Sequence, residues 1–145
     1  GVVSDAVATA TGKTVERIAG ADRYATAVAV AEEIGATADK VILARGDDYA
    51  DALAAAAVQG STPILFAGKA GATSLQAATE DAITDLSVKD VVIVGDTGVV
   101  SSAIETQVKG LVSGTVTRLA GSDRFKTAVA IANAFKPKAV TKALY

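Results

Sequence analysis

Short runs of apolar, often β-branched residues alternate along the chain with longer stretches in which apolar residues recur every three or four positions. The short runs predict strands at Val15–Ala19, Lys40–Ala44, Pro63–Phe66, Asp90–Val94, Thr115–Leu119 and Lys142–Tyr145. In KVILA, PILF and DVVIV successive residues are apolar, a pattern typical of strands that are covered on both faces. We therefore expect a sheet that is buried between two layers.

The longer stretches predict helices at about Asp22–Ile34, Asp48–Gln59, Ser74–Leu86, Ser101–Lys109 and Asp123–Phe135. Asp or Ser begins each of them, in position to act as an N-cap that accepts a backbone N–H bond. Strands that alternate with helices form parallel sheets with crossover helices on both faces. The predicted fold is α/β, a three-layer Rossmann-like domain with a mainly parallel sheet.

One sequence motif occurs twice in the chain. Aligning Thr14–Glu33 with Thr115–Ala134 gives 12 identities in 20 positions, so the chain contains the start of a second copy of a unit of roughly 100 residues. The predicted organisation is an N-terminal extension at 1–13, a first repeat at 14–114, and the start of a second repeat at 115–145. Because some thirty residues cannot bury a core alone, we expect the last part to pack onto the first as one globule. The alternative is that it awaits the rest of a longer parent.

Composition removes several kinds of chemistry. The chain has no Cys, His, Met or Trp, which excludes disulfides, thiolate nucleophiles, imidazole bases and the commonest transition-metal ligands. The net charge of −2 gives no reason to expect nucleic acid or an anionic membrane as a partner. The longest apolar runs fall well short of the roughly 20 residues that span a bilayer. No cofactor, membrane insertion or nucleic-acid binding is predicted.

Arginine is scarce and concentrated in the repeated phrase. Four of the five arginines lie in the two copies of R-[IL]-A-G-x-D-R-[YF], at Arg17, Arg23, Arg118 and Arg124. The phrase also predicts a tight turn at Gly20 and Gly121, and helix caps at Asp22 and Asp123. A guanidinium suits a carboxylate or a phosphate. Two interpretations stay open, an ion pair that holds the turn or a neighbouring unit, and a contact with an anionic ligand.

Acidic residues follow two of the predicted strands. Asp47 and Asp48 come after KVILA, and Asp96 follows DVVIV, at the edge where open α/β sheets bind ligands. Adjacent carboxylates can hold Mg²⁺ or Ca²⁺, although Asp48 is more simply a helix cap. A metal-assisted phosphoryl or nucleotide-processing enzyme is therefore one alternative. Neither G-x-G-x-x-G nor a Walker lysine is present, and we predict no catalytic residue and no metal site.

Four blocks together carry a resemblance to a known family. They are RIAGADRYATAVAVA with its copy RLAGSDRFKTAVAIA, GDDYADALAAA, TPILF and VVIVGDTGVVSSAIE, in that order. The chain resembles the cell wall binding repeat 2 family over about residues 14–145. The family's P-I-L-L block falls on Pro63, Ile64, Leu65 and Phe66, with Phe66 in place of the final leucine.

The resemblance implies a secreted module of the bacterial cell wall or surface layer. Such modules form pseudo-threefold assemblies with neighbouring repeats and attach non-covalently to an anionic wall polysaccharide or teichoic-acid-like polymer. On that basis Arg23 and Arg124, together with Arg17 and Arg118, are the candidate polymer contacts. Exposed ionic contacts contribute only about 0–1 kcal/mol each, so retention would depend on several modules engaging one polymer. A purely structural surface-layer repeat is the remaining alternative.

Overall fold

A four-stranded, all-parallel sheet forms the centre of the protein. The computed structural model describes residues 3–34, 39–58 and 60–135. Its strands are β1 (Lys40–Ala44), β2 (Ile64–Phe66), β3 (Asp90–Val94) and β4 (Val116–Leu119), in the spatial order β2-β1-β3-β4. Its helices are α1 (Asp5–Ala10), α2 (Arg23–Ile34), α3 (Ala50–Ala56), α4 (Ala77–Asp85), α5 (Ser102–Leu111) and α6 (Arg124–Ala134). The predicted α/β, Rossmann-like class with a parallel sheet is confirmed.

Helices cover both faces of the sheet. Leu43 and Ile93 belong to a core cluster that includes residues of α2, α4 and α5, whereas Ile42 and Val94 face a second cluster with α3 and α6. Residues 41–44 and 91–94 are all buried, which explains why both strands are apolar at successive positions. The connection from β1 to β2 runs through α3 on one face, and the return to β3 runs through α4 on the other, as right-handed crossovers require.

The predicted strand at Val15–Ala19 is wrong. These residues are exposed and unpaired, while the equivalent residues of the second copy form β4. β4 lies beside β3, with Val91 opposite Val116 and Val94 opposite Leu119. The second copy occupies the edge of β3, so the first copy cannot pair with β3. The predicted strand at Lys142–Tyr145 lies outside the described residues.

Two helices are shorter than predicted. α4 begins at Ala77 rather than near Ser74, and its N-cap residue Gln76 makes no side-chain cap bond. The preceding segment is held instead by tertiary bonds, because the Leu75 N–H donates to Gln107 Oε1 (2.9 Å) and the Gln76 N–H to the Ala67 carbonyl (3.0 Å). α3 begins after Asp48 and ends at Ala56.

Candidate functional site

A cleft of about 140 Å³ opens where β1, β3 and β4 end. The chain leaves β1 towards β2 on one side and leaves β3 towards β4 on the other, so the cleft lies at the topological switch point of the sheet. Open α/β sheets bind their ligands at this place. The starts of α3 and α6 complete its walls, and they contribute Asp51 and Arg124.

Ionic contacts connect the two sides of the cleft. Asp48 Oδ2 lies 3.9 Å from Arg45 Nη1 and 3.8 Å from Arg124 Nη2, so one carboxylate stands between two guanidinium groups. Arg45 Nε donates to Asp47 Oδ1 at 2.8 Å, and this bond is the main cause that lowers the pKa of Asp47 to about 2. Asp47 also accepts the Ala70 N–H, so its carboxylate is committed to holding the loop.

Asp51 lies deep in the cleft. It is 8% exposed, and burial is the first cause that raises the pKa of its carboxyl, followed by the charge of Asp48. Among the residues that the structure describes, none donates a hydrogen bond to the Asp51 carboxylate. A buried carboxylate without a hydrogen bond is costly, and both oxygens of Asp51 remain able to accept hydrogen bonds.

Asp51→Asn is expected to raise the thermal midpoint by a few degrees at pH 7. The pKa of Asp51 is higher in the folded state, so protonation of Asp51 adds to the free energy of unfolding at low pH. This contribution is lost as the pH rises through the pKa of the folded state. The amide removes this penalty, and the difference should vanish below about pH 4, near the unfolded pKa. Calorimetry from pH 3 to 8 measures it, with Asp81→Asn on the exposed side of α4 as control. A lower midpoint at pH 7 would contradict the assignment.

Asp96 occupies the rim and closes its own loop. Its Oδ1 accepts the N–H groups of Gly98 (2.9 Å) and Val99 (3.1 Å). The lining as a whole contains two arginines and four aspartates, so the cleft is polar and of mixed charge rather than a simple anion pocket. Nowhere in the described part of the chain do three acidic side chains come close enough to hold a metal ion.

The repeated phrase builds the same turn twice. The N–H of Gly20 donates to Thr26 Oγ1, and the N–H of Gly121 donates to Thr127 Oγ1, both at 3.0 Å. Asp22 accepts the Ala25 N–H and Asp123 accepts the Lys126 N–H, both at 2.8 Å. A Cβ at Gly20 or Gly121 would overlap the backbone of the following helix. The two glycines and the two aspartates therefore have one local role in both copies.

The structure does not gather the four motif arginines. Arg118 is the most enclosed of the four, with a side chain that is 15% exposed. It donates to Glu105 from Nε and Nη2 and to the Gly95 carbonyl from Nη1. With Lys109, it holds the pKa of Glu105 below its usual range, Lys109 being the larger cause. Arg17 does not line the cleft, and it donates to Asp5 and to the Val3 carbonyl on the surface.

The remaining two motif arginines differ in position. Arg23 donates to the Gly46 carbonyl at 2.6 Å and thereby ties the start of α2 to the loop after β1. Arg124 is 57% exposed and is the one motif arginine among the cleft residues. Arg45, which the arginine pattern did not select, lies in the cleft as well. Its position directly after a buried strand was the available signal.

The P-I-L-F block lies in β2 and away from the cleft. The Pro63 carbonyl accepts the Ile42 N–H, and Leu65 is fully buried in the core. The ring of Phe66 meets that of Tyr24 edge to face, with centroids 6.5 Å apart. α2 therefore packs against this block.

Comparison with known sequences matches the family described as Cell wall binding domain 2 (CWB2) to residues 17–105. The chain belongs to the CWB2 family. The resemblance noted in the sequence is confirmed, and the region is a cell wall binding domain, a non-catalytic module of bacterial surface proteins. Across the described residues, no helix of this CWB2 chain is both long and apolar enough to cross a membrane.

Two proteins of Bacillus subtilis carry a similar region. The N-acetylmuramoyl-L-alanine amidase LytC of Bacillus subtilis (strain 168) is 36% identical over 122 residues, and the amidase enhancer of the same organism is 34% identical over 128 residues. These alignments cover 83% and 86% of this chain, but only 24% and 16% of the two relatives.

The solved structures of Cwp6 and Cwp8 from Clostridium difficile superpose with TM-scores of 0.71 and 0.72, at 33% and 34% identity. They cover 81% and 89% of this chain, which matches 18% and 23% of theirs. The chain therefore spans a small part of each relative.

Proposed function

We propose that this CWB2 module anchors a secreted protein by binding an anionic polysaccharide or teichoic-acid-like polymer of the wall, and that the switch-point cleft holds one unit of it. The observation that carries the proposal is the joining of an exposed guanidinium, Arg124, and a buried carboxylate without a hydrogen bond, Asp51, in one cleft. A repeating unit with both sugar hydroxyls and phosphate or carboxylate groups matches this pair.

Each side chain has a distinct role in this proposal. Arg124 supplies charge-assisted bonds to the anionic group at the rim, since its contact with Asp48 is long and leaves most of its donors free. Asp51 accepts bonds from sugar hydroxyls at the floor. Arg118 already bonds Glu105 and Gly95, so its part is to hold the β4 edge of the cleft. Arg17 and Arg23 lie outside the cleft and remain candidate contacts for a polymer that passes along the surface.

One module binds weakly under this proposal. An exposed ionic contact is worth about 0–1 kcal/mol, and the four aspartates of the cleft oppose long-range attraction of a polyanion. Stable retention therefore comes from several modules that engage one polymer, because linked contacts raise the effective concentration of the next.

Arg124→Gln is expected to weaken retention on purified Bacillus subtilis walls by about twofold to fivefold, because it removes one exposed ionic contact worth at most about 1 kcal/mol. Sedimentation of the protein with walls over a range of concentrations measures the affinity. Lys89→Gln is the matched control, because it removes the same charge from an exposed site outside the cleft. Equal loss in the two variants would show that charge alone matters and would remove the cleft from the proposal.

Stripping the anionic polymers from the walls separates the alternatives. Retention of the unchanged protein should fall to background on stripped walls and should fall with added salt on intact walls. Undiminished binding to stripped walls would replace the anionic polymer by the peptidoglycan itself. Absence of binding to either wall, by a folded protein at high concentration, would favour a purely structural repeat.

A further inference from the structure

The four aspartates of the cleft differ in whether the protein itself balances their charge. Three of them have partners: Asp48 lies between two guanidinium groups, Asp96 accepts two N–H groups of its own loop, and Asp123 caps α6. Asp51 is the most buried of the four, and no donor in the described part of the chain reaches its carboxylate. The protein therefore leaves one buried carboxylate in the cleft without a hydrogen-bond donor.

The two arginines of the cleft do not compensate this carboxylate. Arg45 is committed to Asp47 and Asp48, and Arg124 shares Asp48 with it. Burial, and then the charge of Asp48, raises the pKa of Asp51 by more than the two guanidinium groups lower it. Two positive charges against four negative ones leave the lining with a formal net charge of −2.

Gly95 leaves room beside the carboxylate of Asp51. The Oδ2 atom of Asp51 lies 2.9 Å from the position that a Cβ would take at Gly95, so the missing side chain keeps the space next to this oxygen open. Both residues line the cleft, whose volume of about 140 Å³ accommodates a group of several heavy atoms. A ligand group can therefore reach the carboxylate through the cleft.

A primary ammonium group matches this carboxylate better than a metal ion or a hydroxyl group does. A divalent cation needs about six oxygen ligands, and nowhere in the described ranges do three acidic side chains come together. A hydroxyl group donates one hydrogen bond but leaves the negative charge unbalanced. An ammonium group donates several bonds and also balances the charge, and such charge-assisted bonds are the stronger kind.

We propose that the wall unit held in the cleft is zwitterionic: a primary ammonium group binds Asp51 at the floor, and a phosphate or carboxylate group of the same polymer binds Arg124 at the rim. This inference rests on the proposed function, since it takes the cleft as the place where the polymer binds, and it puts an amine at Asp51 in place of the sugar hydroxyl. An amino sugar or an aminoacyl ester supplies the same ammonium chemistry. The negative lining then selects against units that carry anionic groups alone.

Acetylation of the free amines of purified Bacillus subtilis walls tests the inference. Acetic anhydride converts each amine to a neutral amide and leaves the phosphate groups in place, so the walls become more anionic. The affinity of the unchanged protein, measured by sedimentation with the walls, should fall by about tenfold, because a charge-assisted bond to a buried carboxylate is lost. A site that recognises anionic groups alone would bind the acetylated walls equally well or better.

Asp51→Asn identifies the residue that senses the amine. The asparagine keeps the shape of the side chain without its charge, so this variant should bind native and acetylated walls with the same affinity, within about twofold. Asp81→Asn, which removes an exposed carboxylate of α4, is the matched control and should lose about tenfold on acetylation, as the unchanged protein does. An Asp51→Asn variant that still loses about tenfold on acetylation would overturn the pairing of the ammonium group with Asp51.

Mild alkali distinguishes the two sources of the ammonium group, because it hydrolyses aminoacyl esters and leaves amino sugars intact. Loss of retention after alkali assigns the ammonium group to an ester, whereas retention that withstands alkali but not acetylation assigns it to an amino sugar. Retention that withstands acetylation, yet is lost when the anionic polymers are stripped, would overturn the inference and leave the proposed function in place. Undiminished retention on stripped walls would overturn both.

Discussion

Ile131→Ala should lower the free energy of unfolding by about 2–4 kcal/mol, while Val30→Ala at the equivalent position should cost less than about 1 kcal/mol. Ile131 is fully buried between α6 and the sheet, so its truncation leaves a cavity in a core of close-packed side chains. Val30 is exposed on α2, where alanine even has the better helix propensity. Urea unfolding followed by circular dichroism measures both values.

The reverse pair is the control. Val28→Ala should be the costly change in α2, and Val129→Ala should be nearly neutral in α6, because the two helices bury opposite stripes. The slope of the free energy against urea should stay constant in all four variants if each changes stability alone. Equal costs at Ile131 and Val30 would mean that the two helices are packed alike, contrary to the structure.

Gly95→Ala is expected to cost about 2–4 kcal/mol, which is large for the addition of one methyl group. The residue has φ +102°, a conformation that L side chains rarely adopt. A Cβ there would also lie 2.8 Å from Val99 Cγ1 and 2.9 Å from Asp51 Oδ2, so the floor of the cleft would have to shift. Thermal and urea unfolding measure the loss, and retention on walls should fall with it.

Two other glycines separate the cost of backbone strain from the cost of steric overlap. Gly60 has φ +59° but open space around its Cβ position, so Gly60→Ala should cost only about 1 kcal/mol from backbone strain. Gly110 lies within α5 with nothing near, so Gly110→Ala should stabilise by up to about 1 kcal/mol. A cost at Gly95 no greater than that at Gly60 would show that the cleft floor tolerates the methyl group.

The sheet was predictable because its signal is local. KVILA and DVVIV are apolar at every position but the first, and such runs have few alternatives to a strand covered on both faces. The turn of the repeated phrase was predictable for the same reason, since Gly, Asp and Thr at fixed spacing make their hydrogen bonds within a few residues. Helix ends that depend on contacts distant in sequence, such as the start of α4 beside Gln107, could not be predicted in this way.

The pairing of strands was not predictable from local sequence. The segments Val15–Ala19 and Val116–Leu119 are similar in sequence, yet the first is exposed to solvent and the second forms β4. The difference depends on which copy reaches the β3 edge, and that information is distributed over the whole chain. The cleft shows the same limit, since the burial of Asp51 depends on where α3 begins and on the approach of Gly95.

The offset between the family match and the folded unit has a practical consequence for protein engineering. The match ends at residue 105, inside α5, whereas the sheet is completed only by β4 and the second core cluster only by α6. A fragment excised at the limits of the match would carry a bare β3 edge, which invites aggregation. Fusion proteins that borrow this module for surface display should therefore be cut after residue 135, inside the next sequence copy.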